Sequence, residues 1–416
     1  MTFSRRQTLT TLLAAAVAAP APAALARQAA PAPAPEPVSP DELLDRARAA
    51  LAPGGLVEGL IDRLVEQGRF SGVVLAAAEG RPLLHKACGL ADRASNRANG
   101  LDTRFDIASA GKMFTTVGVG QLLEAGRLSL EDRLVDHLPE FRPDIGARIT
   151  IAQLLSHTSG LGSYFASPLW DARRGSLDTL EDFLALIEGE ELQFTPGERY
   201  EYSNSGFTLL GAVIQKHAGK DYYTAMQEQV FAPAGMTGTG YPTRDNASAG
   251  LALPYTNGCF GRAPNQCTPG DWRDATPVSG RRGGPAGGAF STAGDLLAFV
   301  EALKSGRLLR PDTLNRLKAE QGRMTRQGGP IDAFAMGFGR LTVHGQPTWG
   351  HNGGTIGAQA QVDVFEDAPV TLIVLANQDG AQRPASAALR RVAAPPGWTP
   401  PAPQPGTGPV MVRPGG

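Results

Sequence analysis

From Ser39 onward the chain alternates between two hydrophobic periods, and their order along the sequence sets the architecture. The first is helical. Ser39-Pro40-Asp41-Glu42 puts an N-cap oxygen, a proline at the first helical position and an acidic third residue ahead of apolar spacing that continues through "LVEGLIDRLVEQ". "FSGVVLAAAEGRPLLHKACGLAD" then reads as two strands around a Glu79-Gly80 turn. "TRFDIASAGKMFTTVGVGQLLEAGRL" returns to helical spacing, and the pattern predicts one helix opening near Ser109. Residues 150–240 read as helical segments between Gly/Pro loops, and 241–290 is dominated by turn formers. "STAGDLLAFVEALKSG" is a further capped helix. From residue 333 the strand pattern resumes in "AFAMGFGRLTV", "QPTWGHNG", "AQAQVDVFED" and "APVTLIVLANQ", before a closing helix, "PASAALRRVAA".

Strands therefore lie at both ends of the domain and helices between them. This predicts an α/β (α+β) fold: one antiparallel sheet built from both chain ends, helices packed on it, and an inserted, mainly helical subdomain. The folded domain is expected over 39–394, after an Ala/Pro-rich linker at 27–38 and before a Pro/Gly-rich tail at 395–416. Residues 1–26 read as a signal peptide of twin-arginine type, with Arg5-Arg6, a weakly apolar alanine-rich run and cleavage after Ala26. A membrane anchor is the competing reading; Pro20, Pro22 and the alanine-heavy run disfavour a stable span. The expected location is periplasmic or secreted.

Composition narrows the partners. The 416 residues are 42% hydrophobic and 19% charged, with net charge −1. That balance gives no basic surface for nucleic acid or an anionic membrane. In an oxidising compartment Cys259 and Cys267, which bracket "CFGRAPNQC", are expected to form a local disulfide. Cys88 is left over and reads as a small buried apolar residue.

The candidate chemistry starts at Ser109 and Lys112, one helical turn apart in a chain with only six lysines. Such a pair fits a nucleophile with its activator. Alone, it also fits a chance pairing on a solvated helix face. Tyr202-Ser203-Asn204 offers a phenol and an amide that can hold a substrate carbonyl. Tyr255-Thr256-Asn257 repeats that spacing in a turn-rich loop. His351-Asn352-Gly353 falls on a predicted strand, and the Gly354 N–H is a candidate partner for that of Ser109 in an oxyanion hole. His157, in "LLSHTSGLGS", reads as bracing a loop rather than as a base. No Gly-x-Ser-x-Gly elbow, His-Glu-x-x-His or Gly-x-x-x-x-Gly-Lys motif occurs, and acyl transfer through a serine needs no metal and no organic cofactor.

Taken together, "DTRFDIASAGKMFTT", "ITIAQLLSHTSGL", "FTPGERYEYSNSGFTLLGAVI", "GGAFSTAGDLLAFVEAL" and "GHNGGTIG" resemble the serine β-lactamase and penicillin-binding-protein superfamily. Within it the chain looks like the class C β-lactamase-like branch, which includes D,D-carboxypeptidases, D-aminopeptidases and family VIII esterases. The resemblance implies Ser109 as the acylated nucleophile and Lys112 as its partner. It implies Tyr202 as acylation base and proton donor to the leaving group, with Asn204 binding the substrate amide. His351 stands where the family's third motif has lysine, with Gly353 and Gly354 beside it as substrate-binding positions. A neutral histidine attracts a substrate carboxylate less than an ammonium does. The expected activity is therefore peptidase or esterase rather than efficient β-lactamase, on a small-molecule or peptide substrate such as a cell-wall peptide. A binding or sensor protein that acylates without turnover is the alternative.

Overall fold

The Ser39 hydroxyl accepts the Glu42 amide at 3.2 Å and opens helix α1, Pro40–Ala50. In the computed structural model, which describes residues 38–245, 250–258, 271–324, 332–395 and 397–399, the expected alternation of strands and helices is visible throughout. The helical spacing that runs on from Ser39 is broken at Pro53-Gly54-Gly55, where Gly54 takes φ +70°, and α2 (Leu56–Glu66) is a separate helix. Strands β1 (Gly72–Ala78) and β2 (Arg81–Cys88) form the hairpin around Glu79-Gly80, both at positive φ as the turn requires.

The central helices are α3 (Lys112–Glu124), α4 (Leu180–Ile187), α5 (Asn204–Ala218), α6 (Ala293–Lys304) and α7 (Pro311–Lys318). The chain then returns to strands: β3 (Gly322–Met324), β4 (Asp332–Phe334), β5 (Gly339–Val343), β6 (Gln346–Thr355), β7 (Ala358–Phe365) and β8 (Val370–Ala376). It closes with α8, Gln382–Leu389. The predicted "AFAMGFGRLTV" strand is two strands, since Gly337 at φ +74° turns the chain between β4 and β5.

The eight strands form one sheet in the order β2-β1-β8-β7-β6-β5-β4-β3, antiparallel at every described pairing. The first and last strands, β1 and β8, pair with each other one strand in from the β2 edge, with Val73 opposite Leu375 and Leu75 opposite Ile373. Both faces of β1 and β8 are buried, and period-2 alternation sorts their side chains. Val73, Leu75, Ile373 and Leu375 enter the larger core with α3, α5 and α6. Val74, Ala76, Leu372 and Val374 enter a second core against α1, α2 and α8. The expected signal peptide, most of the linker and tail, and the Cys259–Cys267 pairing fall outside the described residues.

Candidate active site

Ser109 is not on an α-helix. It lies in a 3-10 turn, Ala108–Gly111, and α3 begins at Lys112. An Asp106 carboxylate oxygen accepts the Ala108 N–H at 2.8 Å, and Ala108 itself sits at φ +45°. A 3-10 turn brings i and i+3 into line. Lys112 Nζ accordingly stands 3.3 Å from Ser109 Oγ.

Two glycines let neighbouring backbone close on this turn. A Cβ at Gly353 would lie 2.0 Å from the Ile107 carbonyl oxygen, and one at Gly287 would lie 2.5 Å from that of Ala108. Gly353 is on β6, whose pairing with β5 ends at Gly350. Residues 351–355 therefore pair with β7 on one side and face the Ser109 turn on the other. Gly353→Ala is expected to push β6 and the turn apart and lower kcat/KM roughly 100-fold with the fold intact. Steady-state kinetics beside circular dichroism checks this; unchanged kcat/KM would contradict the packing argument.

Lys112 is fully buried. Its amine reaches Asn204 Oδ1 at 2.7 Å and the Ala286 carbonyl at 2.5 Å. Burial pushes its pKa well below the ordinary lysine value. A neutral amine has two N–H bonds and one lone pair. In its neutral form, with both N–H groups directed to Asn204 and Ala286, such an amine would have its lone pair left for the Ser109 hydroxyl.

Tyr202 belongs to the same cluster. Burial raises its phenol pKa above the usual value, and the Ser109 side chain beside it acts in the opposite direction. Lys112 Nζ lies 4.7 Å from the centre of its ring. The Tyr202 ring also packs against His157, with ring centres 4.5 Å apart. His157 accepts the Ser203 N–H at 3.1 Å through Nδ1, and burial holds its pKa well below the ordinary value. It braces the Tyr202 segment as a neutral ring.

Ser203 caps α5, accepting the Gly206 N–H at 2.8 Å and donating to the Gly162 carbonyl at 2.8 Å. That cap fixes Asn204 as the first helical residue, and its Nδ2 donates to Ser163 Oγ at 2.9 Å. His351 is half-buried on β6. Its Nδ1 donates to the Asn352 carbonyl at 2.5 Å, leaving Nε2 as an acceptor. Burial is the largest cause that lowers its pKa to about 4, which favours the neutral ring at physiological pH.

The second Tyr-x-Asn stretch is engaged elsewhere. The Tyr255 hydroxyl accepts the Arg93 N–H at 2.7 Å and meets Asp92 at 3.3 Å. Cys88 is unpaired, and burial pushes its thiol up to about 11. Among the described residues no cluster of three or more His, Cys, Asp or Glu is arranged to hold a metal, and no helix is long and apolar enough to cross a membrane. Sequence reasoning missed Ser163 and the Ala286 carbonyl. Neither carries a motif: one is an isolated serine in a Gly-rich loop, and the other acts through its main chain.

A serine–lysine pair at the start of a buried helix, facing the open side of an antiparallel strand, defines a protein of the β-lactamase/transpeptidase-like fold. The family described as Beta-lactamase matches residues 57–394, and the chain belongs to it. A penicillin-binding protein of Bacillus subtilis (strain 168) is 36% identical over 189 residues, 44% of this chain and 40% of the relative. The chain thus spans well under two thirds of that relative's length. Esterase EstB of Burkholderia gladioli is 30% identical over 325 residues, 69% of this chain and 79% of the esterase. The crystal structure of a penicillin binding protein from Bacillus halodurans superposes with TM-score 0.70 at 30% identity, covering 80% of this chain and 98% of that one.

Proposed function

We propose that this protein is an exported serine hydrolase that cleaves an ester or amide carbonyl through an acyl-Ser109 intermediate. The observation that carries the reading is Lys112 Nζ, 3.3 Å from Ser109 Oγ and held by two fixed acceptors in a fully buried position. Lys112 takes the Ser109 proton as Oγ bonds to the substrate carbonyl carbon. The backbone N–H groups of Ser109 and Gly354 receive the oxyanion. Asn204 orients the substrate amide or ester. Tyr202, kept protonated by burial, gives a proton to the departing oxygen or nitrogen. Water then attacks the acyl carbon by the reverse proton path and frees Ser109.

These roles differ from the resemblance in one respect. A raised phenol pKa and a lowered amine pKa favour Lys112 as base and Tyr202 as acid. Charge supports a choice of substrate class. His351 is neutral and Lys112 is disfavoured as a cation, so neither offers a substrate carboxylate a strong ionic partner. Neutral esters and peptide amides, D-peptides among them, are favoured over carboxylate-bearing β-lactams. Similarity to a named esterase supports this reading. Export rests on the Arg5-Arg6 segment and its alanine-rich run.

Intact-protein mass spectrometry with a p-nitrophenyl phosphonate tests the reading. One adduct is expected on the wild type and none on Ser109→Ala. An adduct that persists in Ser109→Ala would overturn it. A stable adduct with penicillin, with no turnover of p-nitrophenyl acetate, would instead identify a binding or sensor protein.

A further inference from the structure

Nothing in the acyl-transfer scheme uses Arg244, yet its side chain is only 13% exposed and ends against Asp106, two residues from the strained Ala108 turn. Its Nη2 donates to Asp106 Oδ2 at 2.5 Å, and the Asp106 side chain is 5% exposed. The other Asp106 oxygen holds the Ala108 N–H at 2.8 Å. One carboxylate therefore spans the arginine and the backbone that presents Ser109.

The arginine is itself fixed. Its Nε donates to the Gly280 carbonyl at 2.8 Å, and its guanidinium lies 5.0 Å over the Phe290 ring. Phe290 is the strand partner of Asp106, and Ile107 donates its N–H to the Ala289 carbonyl at 2.9 Å. The Arg244 main chain donates to the Arg281 carbonyl at 2.8 Å. Segments 241–245 and 280–282 are thereby tied to the nucleophile turn through one buried ion pair.

We propose that Asp106 and Arg244 are positioning residues for the acyl-transfer step: their ion pair holds Ala108 at its left-handed φ and so aims Ser109 Oγ at the Lys112 amine. A non-glycine residue at φ +45° persists only where its surroundings over-determine it. Here they comprise the Asp106 acceptor, the Gly288 N–H donated to the Ala108 carbonyl at 3.1 Å, the Gly287 backbone against Ala108 and the Gly353 backbone against Ile107. Of these, the Asp106 acceptor depends on a side chain, and Arg244 fixes that side chain in place. The bidentate reach of a guanidinium, to Asp106 and Gly280 together, is something lysine lacks.

The proposal rests on Ser109 being the nucleophile, so Ser109→Ala accompanies the test. The variants are Asp106→Asn and Arg244→Lys. Acylation by p-nitrophenyl acetate is measured in single turnover and normalised to active sites by phosphonate titration, which removes any effect of misfolded protein. Asp106→Asn is expected to slow normalised acylation roughly 100-fold with KM little changed, because misaiming a reacting atom acts on the chemical step. Arg244→Lys is expected to fall between it and the wild type, with the pH profile of acylation unmoved in both. Normalised acylation within about threefold of wild type, or a loss confined to KM, would overturn the proposal, since misplacement must appear in the rate of chemistry. If Asp106→Asn yields no folded protein, Arg244→Lys decides by the same criteria. An adduct surviving in Ser109→Ala would count against the parent reading, whatever these two variants do.

Discussion

Lys112→Met should lower kcat roughly 1,000-fold on a p-nitrophenyl ester, within the range that a positioned general base contributes. Methionine matches the lysine stem in length and fills the same fully buried space between Ser109, Asn204 and Ala286. What disappears is the lone pair beside Ser109 Oγ, so substrate affinity should change little and the loss should sit in kcat. A second readout comes from stability. Burial lowers the folded-state pKa of Lys112, so below the ordinary value of 10.5 the unfolded chain binds a proton that the folded chain does not. Stability conferred through this group therefore rises with pH up to that value and falls as pH drops, until the folded amine itself takes up the proton. In Lys112→Met that component of the pH dependence should vanish. Denaturant melts of both proteins from neutral to alkaline pH check it. An unchanged slope together with near-normal kcat would show that the amine is charged and is not the base.

The second large effect is expected from Tyr202→Phe, with kcat on an amide substrate falling roughly 100-fold or more through loss of a general acid. The ring is retained, and with it the packing against His157, ring centres 4.5 Å apart, so folding should be preserved. The loss should depend on the leaving group. A departing amine needs the proton before the C–N bond can break, whereas p-nitrophenolate leaves readily as an anion. The amide should therefore suffer more than the p-nitrophenyl ester. Equal losses on both substrates would point to Tyr202 as the base that activates Ser109, and no loss on either would remove it from the chemistry. The raised pKa of the phenol supports the acid role, because a group buried in its neutral form retains a proton to give.

Much of the architecture was legible from periodicity. Strand β8 reads "VTLIVLA" and is buried on both faces, and α1 carries its own N-cap signature at Ser39. Periodicity failed where backbone conformation departs from its local preference. The stretch around Ser109 has helical spacing, yet Ala108 is left-handed and the turn is 3-10. No propensity scale places alanine there; the contacts of Asp106, Gly287 and Gly353 do, and two of those three come from distant parts of the chain.

The residue types of the site were equally visible, as a scarce lysine three places from a serine, a Tyr-Ser-Asn stretch and a His-Asn-Gly-Gly strand. Their protonation states were not. Sequence gives a lysine its ordinary basicity, and the lowered pKa of Lys112 exists only because packing removes water from around it. The same holds for the surroundings of the two Tyr-x-Asn stretches: Tyr255 is engaged by Asp92 and Arg93, whereas Tyr202 lies beside Lys112. By itself the sequence determined the order of the main strands and helices and which side chains are candidates for chemistry, because patterning and residue type are local properties. Only the tertiary structure decided that Asn204 and the Ala286 carbonyl converge on Lys112, which nitrogen of His351 binds the Asn352 carbonyl, and how Arg244 reaches the Ser109 turn. Desolvation and hydrogen-bond partnership are properties of the packed chain, and no stretch of sequence contains them alone.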